Sequence, residues 1–136
     1  MCIRDRSGLG VEVMANSDNV LRGGLTSKHV DVPELAKVLN FTALERLDAP
    51  SEDDGAVVRY QLPVAEFQVS RHRIGPSESL VVAGDGPAIV LCTAGSSVSG
   101  SFRLTPGQAV WLPATEPTTT FTSNGTTPAE LFYVTV

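Results

Sequence analysis

Residues 88–112 read AIVLCTAGSSVSGSFRLTPGQAVWL, three short runs rich in apolar and β-branched side chains divided by turn-forming residues. Ala88 to Thr93, Ser97 to Leu104 and Gln108 to Leu112 each have the length of a strand. Between the last two, Thr105-Pro106-Gly107 offers a proline with fixed φ followed by a glycine that tolerates positive φ. The pattern extends both ways: Val57 to Leu62, Phe67 to Arg73 and Ser79 to Val82 precede it, and Thr118 to Thr122 and Glu130 to Val136 follow. Strand-like runs at a spacing of about ten residues, with turns at Gly84-Asp85-Gly86-Pro87 and Asn124-Gly125, predict a mainly β chain folded as a β-sandwich or jelly roll. In the run from Phe67, period two sets Phe67, Val69, Arg71 and Arg73 on one face and Gln68, Ser70 and His72 on the other, so at least one face there is wet.

The 136 residues suit one ordinary domain with a real core. A net charge of -5 argues against nucleic acid or an anionic membrane as the main partner. Cys2 and Cys92 have no metal-ligand spacing, so free thiols in a reducing cytoplasm are expected. No apolar run reaches the length of a spanning helix. The opening MCIRDR lacks periodicity, a cap or an apolar pattern, and residues 1–7 are set aside as a foreign or truncated start.

The densest polar run is Gly10 to Lys28, GVEVMANSDNVLRGGLTSK. Val11, Val13 and Ala15 alternate with Glu12 and Met14, which predicts a strand with Glu12 on the face away from the valines. Asn16-Ser17-Asp18-Asn19 and Gly23-Gly24 then shape a loop. Asp31 as N-cap, Pro33 in the first turn, Glu34 three residues after the cap, and Leu35, Val38 and Leu39 predict a helix over Val32 to Asn40. Ala49 to Gly55, APSEDDG, reads as an exposed linker or loop.

The stretch MANSDNVLRGGLTSKHVDVPEL, Met14 to Leu35, resembles type I mannose-6-phosphate isomerases, zinc-dependent enzymes built on cupin barrels. It has an acid two residues before the Met-Ala pair, then SDN, an arginine before a glycine pair, Thr-x-Lys and the Asp-Val-Pro-Glu-Leu helix start. TPGQAVWLP, Thr105 to Pro113, is similar to a strand pair of that family's C-terminal cupin. The resemblance implies a jelly-roll β-sandwich of the cupin type with one short helix, preceded by a strand and loop left from a truncated catalytic cupin barrel. The implied division is a catalytic-cupin remnant over 8–30, a helical connection over 31–48 and a C-terminal cupin without metal over 49–136.

In that family, aldose and ketose phosphates interconvert through a cis-enediol. The implied function is the C-terminal part of an enzyme interconverting mannose 6-phosphate and fructose 6-phosphate. Arg22 matches the family's active-site arginine, and a guanidinium suits the negative charge of an enediolate. Lys28 matches the lysine of Thr-x-Lys and is expected at the substrate phosphate, a surface lysine being the plainer reading. Glu12 matches the strand acid beside a zinc histidine and could orient a ligand or move protons. Asp18 is a candidate for assisting ring opening or for holding Arg22, against the simpler role of an Asx turn. Zinc belongs to the full-length family enzyme. His29 and His72 are the chain's only histidines and cannot alone make a zinc site, so no metal is expected here and the chain alone is expected inactive without an N-terminal catalytic portion. The competing expectation is a free-standing β-sandwich that binds a carbohydrate or a partner without catalysis.

Overall fold

The computed structural model describes residues 8–14, 16, 21–43, 49–83, 86–116 and 118–136. The chain divides into two compact units between residues 45 and 46.

In the first unit, α1 (Val32–Val38) begins where the sequence indicates. Asp31 caps it, its Oδ1 accepting from the Glu34 backbone N–H at 2.9 Å, which satisfies one of the orphan donors of a helix start. Glu34 in turn pairs with Lys37 at 2.9 Å. The helix ends two residues sooner than expected, because Leu39 is already extended at φ -65 and ψ 127. The strand expected at Val11 to Ala15 does not form over residues 11–14, and Ala15 lies outside the described residues. Period-two alternation marks a strand only when a neighbouring strand takes its backbone hydrogen bonds, and none within the described residues pairs with this one.

The second unit is all β. Its strands are β1 (Ser51–Asp53), β2 (Val57–Tyr60), β3 (Gln68–Ile74), β4 (Ser79–Ala83), β5 (Ala88–Ala94), β6 (Ser97–Ser99), β7 (Phe102–Leu104), β8 (Ala109–Leu112), β9 (Thr118–Ser123) and β10 (Ala129–Thr135). They form a six-stranded sheet in the order β1-β2-β3-β10-β5-β8 and a four-stranded sheet in the order β4-β9-β6-β7. Adjacent strands run antiparallel. The mainly β sandwich read from the sequence is therefore present.

Two boundaries differ from expectation. The acidic stretch read as a linker contributes β1, which pairs with β2 from Ser51 opposite Tyr60 to Asp53 opposite Val58. Its acids build the hairpin turn: Asp53 Oδ1 accepts from Gly55 N–H at 2.8 Å, and Asp54 Oδ1 accepts from Ala56 and Val57 N–H at 3.1 and 2.7 Å. Those backbone donors, Val57 first, hold the Asp54 carboxyl below its usual range. The run Ser97 to Leu104 is not one strand but the hairpin β6–β7, turning at Gly100 with φ 55.

The core lies between the sheets. Ile74, Val90, Cys92 and Leu131 from the larger sheet meet Val82, Leu104 and Phe121 from the smaller, and Phe121, Leu131, Val90 and Cys92 are fully buried. Ile89 and Trp111, opposite one another on β5 and β8, face outward, 44% and 60% exposed. Cys92 is a free thiol whose pKa burial pushes up. Cys2 is outside the described residues.

Candidate functional site

The residues singled out in sequence all fall in the first unit. Arg22 is half-buried, whereas Glu12 and Lys28 are exposed; Asp18 lies outside the described residues. Glycine and threonine shape the segment. Gly23 comes close to the helix, where an added Cβ would touch Leu35 Cδ2 at 3.5 Å. Gly24 has φ 144, and Leu25 follows at φ 53 with its side chain in solvent, a conformation unusual for a residue with a Cβ. Thr26 Oγ1 accepts from the Lys28 backbone N–H at 3.1 Å. The threonine of Thr-Ser-Lys thus braces the backbone beneath the lysine, a hydroxyl-to-N–H contact that a Thr-x-Lys pattern can signal.

Among the described residues, no hydrogen bond or ion pair joins Glu12, Arg22 and Lys28. The structure brings Arg22 and Lys28 onto one loop that leads into α1, and it leaves both cations unneutralised by described carboxylates. That arrangement can receive an anion and cannot by itself complete an acid–base pair. His29 is exposed. No group of three or more His, Cys, Asp or Glu side chains among the described residues could hold a metal ion. The described residues of this chain do not fit a zinc site, which needs three or four converging ligands.

A second polar grouping arises in the β unit that strand-by-strand reading did not assemble. Arg59 on β2 stands opposite Ser70 on β3, and Ser70 stands opposite Tyr133 on β10. This face turns inward, since Tyr133 packs on the core. His72, two residues along β3, holds Ser70 Oγ at 2.8 Å from its Nε2 and sits edge-on to Tyr133, with ring centroids 6.3 Å apart. Its Nδ1 is buried without a hydrogen-bond partner. Burial, with Arg59 nearby adding to it, pulls the His72 pKa below 6.5. These side chains, with Gln68 and Thr135, line a cleft of about 560 Å³. Neither face of β3 is fully wet: on the inward face Gln68 is exposed, Ser70 and His72 are half-buried and Ile74 is buried, and on the other face Val69 and Arg71 are half-buried and Arg73 is exposed.

No family model matches the chain. Among curated relatives, the mannose-6-phosphate isomerase of Escherichia coli K12 is 35% identical over 124 residues, which is 87% of this chain and 32% of that protein. The mannose-6-phosphate isomerase of Rattus norvegicus is 36% identical over 119 residues, 78% of this chain and 28% of that protein. Among solved structures, the Salmonella typhimurium mannose 6-phosphate isomerase bound to fructose 6-phosphate and zinc superimposes with a TM-score of 0.71 at 30% identity, covering 90% of this chain and 32% of that one. The chain spans about a third of the length of the relatives it matches.

Proposed function

We propose, for a chain related in sequence and fold to the mannose-6-phosphate isomerases, that it supplies the C-terminal wall of an active site interconverting mannose 6-phosphate and fructose 6-phosphate. The observation that carries this reading is the order and spacing of its charged loop. Solved structures of the Salmonella enzyme include a glutamate-to-alanine and an arginine-to-alanine variant ten residues apart, the separation of Glu12 and Arg22 here. A histidine-to-alanine variant lies nine residues before that glutamate; the equivalent spacing falls on Ile3 in this chain. The relatives lend no comparable support to a free-standing binding module.

In this reading Arg22 holds the oxygen on which negative charge grows as the enediolate forms, using two parallel N–H donors. Lys28 anchors the substrate phosphate as a point charge at the far end of the loop. Glu12 contacts sugar hydroxyls or moves protons, and Asp18 assists ring opening or holds Arg22. In this reading the zinc seen in the Salmonella structure is held by residues of a preceding catalytic portion, on which activity depends. The proposed setting is the cytoplasm. No helix among the described residues is long and apolar enough to cross a membrane.

The test is a chimaera in which residues 8–136 replace the matching third of the Escherichia coli enzyme. We expect isomerisation of mannose 6-phosphate, a fall in kcat of about 10²- to 10³-fold on Arg22→Ala, and a rise in KM on Lys28→Ala with a smaller change in kcat. A folded chimaera without activity, or an active one indifferent to Arg22→Ala, overturns the reading.

A further inference from the structure

We propose that the cleft between the β2–β3–β10 floor and strand β4 binds a small organic anion, a phosphate ester or a carboxylate, through Arg59 together with Gln68, Ser70, His72 and Tyr133. The residues of this site all belong to the β unit, and Arg22 and Lys28 to the other.

The cleft follows from unequal sheets. Six strands face four, so part of the larger sheet's inner face extends past the smaller one, and the polar row Arg59–Ser70–Tyr133 lies on that face. Strand β4 contributes Val81 and Val82 on the other side. At about 560 Å³ the space exceeds what a bare inorganic ion fills and suits a small organic molecule. Clefts at the mouth of a β-sandwich or barrel, with apolar walls and a few placed polar groups, are where such molecules bind.

The charge of the occupant is set by the lining. Among the described residues, Arg59 is the one cationic side chain there, and no Asp or Glu side chain lines the cleft. Asp54 is the acid nearest to neutralising it, but their contact is long at 3.8 Å and both side chains are more than half exposed, so water shares the pair and the guanidinium is free to turn inward. Val136 also borders the cleft and is 69% exposed.

The remaining groups are donors with capacity to spare. The Tyr133 hydroxyl donates to Ala83 O only at 3.5 Å, near the limit of a hydrogen bond, and is released at little cost to an anionic acceptor. Ser70 Oγ is held in place by His72 Nε2 at 2.8 Å. The other ring nitrogen has no partner, so an anion in the cleft favours the doubly protonated imidazole. A phosphate or carboxylate takes charge-assisted bonds from the guanidinium, which a neutral sugar does not match.

Three probes on one carbon skeleton test this with the whole chain: glucose 6-phosphate, gluconate and glucose, followed by NMR of the His72 imidazole and the Tyr133 ring. We expect saturable shifts with at least one of the two anions, an upward move of the His72 titration midpoint on binding, and weak or absent shifts with glucose. The stronger of the two anions identifies the oxyanion. Arg59→Ala and the milder Arg59→Gln should each weaken binding by about tenfold or more, with Tyr133→Phe costing less. Arg22→Ala should leave binding unchanged, which separates this site from the isomerase reading. Equal binding of glucose, full binding after Arg59→Gln in a protein of unaltered circular dichroism, or no perturbation at His72 by either anion overturns the proposal.

Discussion

His72 shows how one residue changes meaning when its neighbours are known. In sequence it is a lone polar residue on an alternating strand. In the fold it is half-buried between Ser70 and Tyr133, with one nitrogen unpartnered. Because burial lowers its folded pKa, the unfolded chain takes up the proton first. Its contribution is fully present above about pH 6.5 and is lost as pH falls from there towards the folded pKa, below which the loss levels off. We therefore expect urea stability to decline between pH 7.5 and 5.5, and His72→Gln to flatten that decline. Asp54 does not confound the measurement: its pKa is lowered from 3.8, so its contribution is lost only at more acid pH. A slope unchanged in the variant would show that another group titrates. Arg22 and Lys28 were legible as residues because their chemistry sits in a contiguous run. Arg59 was not, since its role depends on Ser70 and Tyr133, eleven and 74 positions away in the chain.

At the scale of elements, local chemistry marked starts and turns well and misjudged pairing. The cap Asp31 and Pro33 fixed where α1 begins, and Thr105-Pro106-Gly107 became a turn braced by Gln108 Oε1, which accepts from Thr105 N and Oγ1 at 2.9 Å. The acidic run at 51–53 reads as a linker or loop in sequence because aspartates and glutamates disfavour strands in isolation; β1 forms because β2 offers it an edge. The strand expected from Val11, absent over residues 11–14, has the same cause. Turn glycines also differ in what they are for. Gly95 has φ 64, and a Cβ there would run into the Pro128 carbonyl oxygen, whereas Gly100 has φ 55 with nothing within 4 Å. Gly100→Ala should cost only the backbone penalty, about 1 kcal/mol, and Gly95→Ala about 2 kcal/mol or more, since the β5–β6 turn and the entry to β10 must separate. Urea denaturation of the two variants decides; equal losses would mean that close approach at Gly95 is not what the position requires.

Across the whole molecule, stability of the β unit rests on side chains drawn from both sheets. Phe121 on β9 is fully buried against the larger sheet's core residues. Phe121→Ala should remove about 3–5 kcal/mol, a large share of an ordinary domain's stability. Trp111→Ala, on the outward face, should cost far less despite the larger side chain. Thermal unfolding followed by circular dichroism checks both, and comparable losses would place the stabilising contacts elsewhere. By itself the sequence determined the mainly β class, most strand positions, the capped helix and the charged loop resembling a sugar-phosphate isomerase, because these depend on periodicity, turn residues and side chains close together in the chain. Only the tertiary structure decided which strands pair, that residues 51–53 join the sheet, that six strands face four, and that Arg59, Ser70, His72 and Tyr133 share one cleft. Those outcomes depend on cross-strand register between distant segments, where a shift of one residue turns every side chain to the opposite face.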